Sequence, residues 1–476
     1  MAETIHADLC IIGAGSGGLS VAAGAAQLGR KVVLVERHKM GGDCLNYGCV
    51  PSKALIAAAH HAHSIRRARE FGVDAGEPKA DFPRVMKHVR EVIAAIEPND
   101  SVERFEKFGV RVVKASAKFV SAREVEAGDF RIKAKTFIIA TGSSPLKPPI
   151  PGLDQTPFMT NETVFDNLVL PDHLIVIGGG PIGLELAQAH RRLGARVTVL
   201  EAKSIMPKDD PEAVAVVKQS LEADGVSILE NALVTAVAKA ASCVAVTVTR
   251  DGKSQVVNGS HLLLAVGRVP NVEGLNLEAA GVRYSRKGIE VDSGLCTSNR
   301  RVHAIGDVAG GLQFTHVAGY HAGLIIRRVL FKLPIKTDYS AIPWCTYTDP
   351  ELAQVGVTEA QARERGLKFS ITRWPLHEND RAQAEREVHG FAKVVVVNGR
   401  PIGATIVGFR AGELILPWVM AIGQKMKLSS MAGMVAAYPT LSEVSKRASS
   451  AYFTPTLFSP RTRAVVNFLS WLDPIR

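Results

Sequence analysis

The stretch ADLCIIGAGSGG, residues 7–18, decides the fold of this chain. Its first six residues are mostly apolar and predict a buried strand, and a helix of small residues is expected from the glycine turn to Gln27. The stretch KVVLV at 31–35 predicts a second strand, which Glu36 closes. Glycines at 13, 15 and 18 allow a tight turn, close approach of a pyrophosphate and packing of the helix on the strand. The stretch therefore predicts a dinucleotide-binding βαβ unit.

The same pattern occurs a second time. Residues 173–183, HLIVIGGGPIG, are followed by a predicted strand at 196–200 and then by Glu201. In both copies the acid lies 23 positions after the first glycine. One G-x-G-x-x-G motif is a weak signal, but two complete units with equal spacing predict two dinucleotide sites.

The acid that ends each unit bears on the choice of nucleotide. A carboxylate at this place accepts a hydrogen bond from a ribose 2′-hydroxyl and repels a 2′-phosphate. Glu36 therefore fits an adenosine ribose, and Glu201 favours NADH. NADPH is the less favoured alternative, and it stays open because Lys203 and Lys208 lie nearby.

Two of the six cysteines are close together, in GGDCLNYGCVPSK at residues 41–53. Cys44 and Cys49 form a C-x4-C pair that suits either a metal or redox chemistry. Zinc usually takes four N or S ligands, and no second pair follows at matching spacing. The sequence therefore favours a redox pair and predicts no metal site.

The composition limits the class of protein. A length of 476 residues predicts two to four domains, and no apolar run approaches the roughly 18 residues of a spanning helix. The net charge is +11, but aromatic residues make up only 6% and no dense basic block occurs, so we expect no nucleic-acid partner. The start, MAET, carries an acid where a signal peptide carries basic residues, which predicts a cytoplasmic protein.

Taken together, these motifs resemble the FAD-dependent pyridine nucleotide–disulfide oxidoreductases, with lipoamide dehydrogenases and the core of mercuric reductases as the most similar members. The likeness continues through 140–142, 265–271, 305–308, 379–382 and 439–443. It implies an α/β fold with two Rossmann-like domains, for FAD and NAD, and a C-terminal α+β dimerisation domain. The implied regions are an FAD domain with the redox disulfide (1–148), an NAD domain (149–272), a central domain completing the FAD site (273–343) and an interface domain (344–476). It also implies a homodimer whose active site is shared across subunits.

The resemblance also implies the site residues. Electrons would pass from NADH through the flavin to Cys49, and Cys44 would exchange with a small-molecule or protein-bound disulfide or thiol. Lys53 would reach the flavin and pair with Glu185, and Asp43 stands where the family usually has Thr. The positions that match cofactor contacts are Gly13, Gly15, Ser16, Gly18, Glu36, Gly42, Asp43, Lys53, Ala117, Thr141, Gly142, Ser143, Gly178, Gly180, Pro181, Ile182, Gly183, Glu201, Gly267, Gly306, Asp307 and His316.

One departure from the family pattern bears on the substrate. Lipoamide dehydrogenases carry a His–Glu base pair that serves the partner subunit's disulfide, and this chain has Tyr438 and Glu443 at the matching positions. The reference pKa of Tyr lies about 3.5 units above that of His, so Tyr438 is a poor base near neutrality. Mercuric reductases also have Tyr here, but they end in a cysteine pair, and no Cys follows Cys345 in this chain.

The favoured function is therefore transfer of electrons from NAD(P)H to the Cys44–Cys49 disulfide and then to a disulfide, metal-ion or quinone acceptor. Dihydrolipoamide dehydrogenase and mercuric reductase are the enzymatic alternatives, and an NADH-sensing flavoprotein adaptor is the non-enzymatic one.

The tail after Glu443 is least covered by the resemblance. Apolar residues at 465, 468, 469 and 472 follow helical spacing and predict a helix starting after Pro460. The favoured interpretation is an extra helix packed on the dimer interface. The alternative is a peripheral anchor on an anionic membrane, with Phe468 and Trp471 at the lipid surface and Arg461 and Arg463 beside phosphates.

Overall fold

A computed structural model describes residues 3–240 and 243–472. In chain order, the strands are β1 (Glu3–Ile12), β2 (Val32–Glu36), β3 (Val110–Lys114), β4 (Ala117–Ser121), β5 (Glu124–Ala127), β6 (Phe130–Ile139), β7 (Ser143–Pro145), β8 (His173–Ile177), β9 (Arg196–Leu200), β10 (Val226–Leu229), β11 (Leu233–Ala240), β12 (Cys243–Arg250), β13 (Lys253–Gly259), β14 (His261–Leu264), β15 (Arg268–Pro270), β16 (Tyr284–Ser285), β17 (Gly288–Ile289), β18 (Val302–Ala304), β19 (Pro343–Thr346), β20 (Glu351–Gly356), β21 (Ser370–Pro375), β22 (Phe391–Val397) and β23 (Arg400–Gly408).

The helices are α1 (Ser16–Gln27), α2 (Gly42–Asn46), α3 (Cys49–Arg67), α4 (Phe82–Ile96), α5 (Val102–Lys107), α6 (Pro181–Arg192), α7 (Pro211–Ala223), α8 (Thr315–Phe331), α9 (Glu359–Glu364), α10 (Asp380–Glu385), α11 (Ala411–Leu414), α12 (Leu416–Gly423), α13 (Leu428–Ala432), α14 (Glu443–Ala451), α15 (Thr454–Leu457) and α16 (Pro460–Leu472).

The chain forms two compact units, and the first comprises residues 1–205 and 225–337. Its larger sheet has the order β3-β2-β1-β6-β5-β4, with β18 beside β6. Strands β3, β2, β1, β6 and β18 run parallel. The central strand β1 ends in four buried residues, as expected for a strand covered on both faces.

The second glycine-rich unit forms a separate parallel sheet, ordered β10-β9-β8-β14. Strands β8 and β9 have the predicted bounds, and β2 lies one residue from its predicted position. Both predicted βαβ units are thus confirmed as secondary structure. A three-stranded antiparallel sheet, β11-β12-β13, completes this region.

The second unit comprises residues 206–224 and 338–476 and is α+β. An antiparallel sheet, β19-β20-β23-β22-β21, packs against helices around Trp418, whose indole N–H donates to Ser445 Oγ at 3.0 Å. Helix α7 belongs to this unit although it lies within the predicted NAD region. The predicted boundaries at 148, 272 and 343 remain predictions.

A buried ion cluster joins α7 to the sheet of this second unit. Lys393 on β22 is only 5% exposed, and its ammonium contacts Asp210, Glu212 and Glu359 at 2.9, 2.9 and 2.6 Å. Because three carboxylates surround it, the pKa of Lys393 is raised despite its burial. Across the described residues, we find no helix with both the length and the apolar character needed to cross a bilayer.

Candidate active site

The first glycine turn leaves open space where a pyrophosphate would approach. Gly13 has a φ of +106°, and a Cβ there would lie 2.3 Å from the Ala140 carbonyl oxygen. A Cβ on Gly18 would lie 1.9 Å from the Gly13 oxygen, whereas a Cβ on Gly15 would meet nothing within 4 Å. Two of these glycines are therefore required by packing, and Gly15 keeps free the space in front of the α1 N-terminus.

The second turn repeats this geometry. Gly178 has a φ of +113°, and a Cβ there would lie 2.3 Å from the Ala265 carbonyl oxygen. A Cβ on Gly183 would lie 2.1 Å from the Gly178 oxygen, and Gly180 faces open space at the start of α6, whose first residue is Pro181. The two turns thus fit the pyrophosphates of two dinucleotides.

The two strand-end carboxylates are held in matching positions by backbone N–H groups. Glu36 accepts from Ala14 at 2.7 Å and from His38 at 2.7 Å. Glu201 accepts from Gly179 at 2.7 Å and from Lys203 at 2.9 Å. Each carboxylate oxygen keeps a further lone pair for a ribose hydroxyl, so both sites also fit the sugar of a dinucleotide.

A polar network links Asp43, next to the first active cysteine, with Asp307. Arg268 contacts Asp43 at 3.0 Å and donates to the Ser143 hydroxyl at 2.8 Å, and that hydroxyl donates to Asp307 at 2.5 Å. Asn161 also donates to Asp43, at 3.1 Å. The pKa of Asp307 is raised, mainly by burial.

Arg268 therefore compensates the carboxylate that replaces Thr at position 43. Arg268 and Asn161 were missed from the sequence as site residues. Arg268 lies in the quoted stretch 265–271, and the acid at position 43 was the signal that a cation should be sought.

The two predicted redox cysteines lie at neighbouring helix starts. Cys44 is in α2, Cys49 is the first residue of α3, and both are free thiols. Gly41 and Gly42 have φ values of +83° and +59°, and a Cβ on Gly42 would lie 2.7 Å from Gly15 Cα. The thiol segment is thus packed directly on the first glycine turn.

The surroundings of Cys49 favour its thiolate. A hydrogen bond from Cys44 lowers the pKa of Cys49 most, and the hydroxyl of Thr315, 3.4 Å from the sulfur, and the charge of Lys53 lower it further. The N-terminus of the 19-residue α3 acts in the same direction. The pKa of Cys44 is raised by its hydrogen bond to Cys49 and by burial. Near neutrality the reduced pair therefore consists of a Cys49 thiolate beside a Cys44 thiol.

Lys53 and Glu185 form the predicted ion pair. The Lys53 ammonium lies 2.8 Å from Glu185 Oε2, and the two side chains are 37% and 7% exposed. Lys53 is one helical turn after Cys49 on α3, and Glu185 is on α6. The pair thus connects the thiol helix with the helix of the second dinucleotide turn.

Helix α8 begins at Thr315. His316 stacks on Phe314 at a centroid distance of 5.2 Å. His321, which was not singled out from the sequence, accepts a hydrogen bond from the Gly306 N–H at 3.1 Å and so fixes the turn that carries Asp307.

The remaining predicted cofactor residues lie in the same unit. Thr141 donates to the Asn271 carbonyl at 2.8 Å, and Gly267 has a φ of +121° with open space at its Cβ position. Ala117 is buried in the core on β4. The cofactor contacts of all these residues remain predictions.

Tyr438 lies in the second unit and has a partner that the sequence did not reveal. Its hydroxyl donates to Asp380 Oδ2 at 2.8 Å, and the side chain is 69% exposed. This hydrogen bond, together with the negative charge of Asp380, raises the pKa of Tyr438. Glu443, the first residue of α14, raises it further. Tyr438 therefore keeps its proton near neutrality.

Comparisons with known proteins agree with this geometry. The family described as pyridine nucleotide-disulphide oxidoreductase matches residues 7–322, and its dimerisation domain matches residues 342–449. The dihydrolipoyl dehydrogenase of Geobacillus stearothermophilus is 36% identical over 457 residues, which cover 93% of this chain and 96% of the relative. The mercuric reductase of Streptomyces lividans is 34% identical over 454 residues, which cover 94% and 96%.

Solved structures show the same likeness. RclA of Escherichia coli, described as an HOCl-induced flavoprotein disulfide reductase, superposes with a TM-score of 0.84 at 28% identity, over 93% of this chain and 99% of that one. LpdA of Mycobacterium tuberculosis gives 0.85 at 28% identity, over 94% and 99%. This chain therefore belongs to the pyridine nucleotide–disulphide oxidoreductase family and is an FAD-dependent enzyme that passes electrons between NAD(P)H and a disulfide.

Proposed function

We propose that this enzyme works as an NADH-dependent reductase, passing electrons through Cys44 and Cys49 to a disulfide, metal-ion or quinone acceptor. The observation that carries the proposal is the hydrogen bond from Tyr438 to Asp380 at 2.8 Å. Oxidation of a dithiol needs a base, and a Tyr whose pKa is raised cannot serve as one near neutrality. Reduction of a disulfide or a quinone takes up protons and does not need such a base.

The residues around the thiol pair fit electron transfer through a bound flavin. FAD, when bound, supplies two-electron transfer between a nicotinamide and a thiol pair. Gly15 and the α1 N-terminus would bind its pyrophosphate, Glu36 a ribose, and Asp307 the ribitol. Thr315 and Lys53 hold negative charge on Cys49, while Cys44 keeps its proton.

Glu201 supports NADH as the electron donor. Its carboxylate is fixed by Gly179 and Lys203, so a 2′-phosphate would meet a negative charge that cannot turn away. We place the enzyme in the cytoplasm, where NADH is available.

The dimerisation domain supports a homodimer, and we propose that the active site is shared between its subunits. By family likeness, Tyr438 and Glu443 would then serve the disulfide of the partner subunit. Asp380 would belong to the same group, because it accepts the Tyr438 hydrogen bond.

A metal-ion acceptor has a further argument. RclA has been solved as a Cu(II) complex, and mercuric reductases are among the relatives that cover more than nine-tenths of this chain. A thiolate at Cys49 beside Cys44 is a soft ligand pair suited to such ions. The second candidate, dihydrolipoamide dehydrogenase, is favoured by the 36% identity to such an enzyme and opposed by Tyr438.

An acceptor panel tests the proposal. The flavin-loaded enzyme would be reduced anaerobically with NADH and then mixed separately with glutathione disulfide, lipoamide, Cu(II), Hg(II) and a water-soluble quinone. We expect at least one of these to reoxidise the wild type faster than it reoxidises the Cys44→Ser variant. Fast dihydrolipoamide oxidation below pH 7.5 would instead assign the enzyme to the dehydrogenase class.

A further inference from the structure

The C-terminal helix α16 is exposed on every side. None of its residues is buried, and Val465, Phe468, Leu469, Trp471 and Leu472 are 56%, 59%, 57%, 79% and 53% exposed. A 13-residue helix is marginally stable in water on its own, and packing of an apolar face normally stabilises it. The helix therefore has the composition of a docking element.

Apolar residues dominate α16 from Ala464 to Leu472. In that stretch only Asn467 and Ser470 are polar, whereas Arg461, Thr462 and Arg463 make the first turn polar. Phe468 and Trp471 stack with ring centroids 6.4 Å apart, so two large aromatic rings lie together at the end of the helix. Aromatic side chains of this kind favour the boundary between water and lipid.

The charged residues of this helix are all basic. Helix α16 carries Arg461 and Arg463 and no acidic residue; Lys446 and Arg447 precede it in the chain, and Asp473 follows its last residue. Such a segment is attracted to an anionic lipid surface. The net charge of the whole chain, +11, acts in the same direction.

A second copy of the chain is the competing occupant. The dimerisation domain of the family matches residues 342–449 and so ends before α16 begins. The matched dimerisation domain therefore does not include α16. We propose that α16 docks the enzyme on an anionic membrane, with Phe468 and Trp471 in the lipid headgroup region and Arg461 and Arg463 beside lipid phosphates. This proposal holds whatever the electron acceptor is.

Co-sedimentation with vesicles tests the docking. The full chain would be mixed at low salt with vesicles of phosphatidylglycerol and phosphatidylcholine, or of phosphatidylcholine alone. We expect binding to the anionic vesicles, and we expect Phe468→Ser/Trp471→Ser to weaken it at least about tenfold. Arg461→Gln/Arg463→Gln should weaken it roughly fivefold per arginine and reduce its dependence on salt.

Two controls separate the membrane from other partners. Phe71→Ser/Val73→Ser removes apolar side chains that are 50% and 57% exposed outside the tail, and it should bind vesicles like the wild type. Sedimentation velocity of a chain ending at Ser459 should show the same oligomeric state as the full chain. Absence of vesicle binding by the full chain, or a change of oligomeric state in the shortened chain without loss of vesicle binding, would overturn the proposal.

Discussion

The protonation of Cys49 should depend on the hydroxyl of Thr315. The pKa of Cys49 is lowered to about 6, with the Cys44 hydrogen bond as the main cause and the Thr315 hydroxyl, 3.4 Å from the sulfur, among the others. A hydrogen bond to an ionised group contributes about 1.5–3 kcal/mol, and 1.36 kcal/mol corresponds to one pKa unit. Sulfur is a weak acceptor, so we take the lower end and expect Thr315→Val to raise the pKa of Cys49 by about one unit.

The assay is a pH titration of the two-electron-reduced enzyme under anaerobic conditions. A thiolate beside oxidised flavin gives a long-wavelength absorbance band, and protonation of Cys49 removes it. The band should therefore disappear as the pH falls, at a higher pH in Thr315→Val than in the wild type.

Two variants control for changes in packing. Thr315→Ser keeps the hydroxyl and should titrate like the wild type. Asp43→Asn removes a negative charge that raises the pKa of Cys49, so its midpoint should move down. Equal midpoints in the wild type, Thr315→Val and Thr315→Ser would refute the role of this hydroxyl.

Gly15→Ala should reduce the amount of FAD that the protein binds, with little change in the stability of the apoprotein. Gly18→Ala should destabilise the fold, because its Cβ would lie 1.9 Å from a carbonyl oxygen. Flavin content and thermal unfolding of the two variants measure this contrast. Lys53→Met removes the 2.8 Å ion pair with Glu185. Because Lys53 is 37% exposed, we expect the free energy of unfolding, measured with denaturant, to fall by only about 1–2 kcal/mol. Lys53→Arg should be closer to the wild type. Lys393→Met should destabilise the second unit by about 3–5 kcal/mol, since three carboxylates surround an ammonium that is 5% exposed. Tyr438→His should raise the rate of dihydrolipoamide oxidation near pH 7, because the pKa of Tyr438 lies above its usual value and that of His lies near 6.5. An unchanged rate in the folded variant would show that Tyr438 does not limit this reaction.

Local signals made the fold predictable. The glycine motifs at 13–18 and 178–183 are short patterns next to their strands, so the sequence alone located β8 and β9 to the residue. The contacts of Gly13 with Ala140 and of Gly178 with Ala265 are distant in sequence and were not predicted. The helix at Pro460–Leu472 was likewise predicted from its periodicity. The assignment of α7 to the second unit was not predictable, because it depends on the Lys393 cluster, about 180 positions away.

The site was predictable only where family motifs mark it. The pairing of Lys53 with Glu185 could be predicted from the resemblance. Cys49 contacts Thr315, 266 positions away, and Tyr438 contacts Asp380, 58 positions away. No local sequence pattern predicts a hydrogen bond over such separations. Asp43 is a departure visible in the sequence, but its compensation by Arg268 depends on helix α2 and strand β15 meeting in space.

The central claim is that Cys44 and Cys49 form a redox centre that takes two electrons in addition to those taken by the flavin. An anaerobic NADH titration of the flavin-loaded enzyme tests it most directly. The wild type should consume about two equivalents of NADH per subunit, with the long-wavelength band appearing after the first, and Cys44→Ser/Cys49→Ser should consume about one. Equal consumption by the wild type and the double variant would contradict the account.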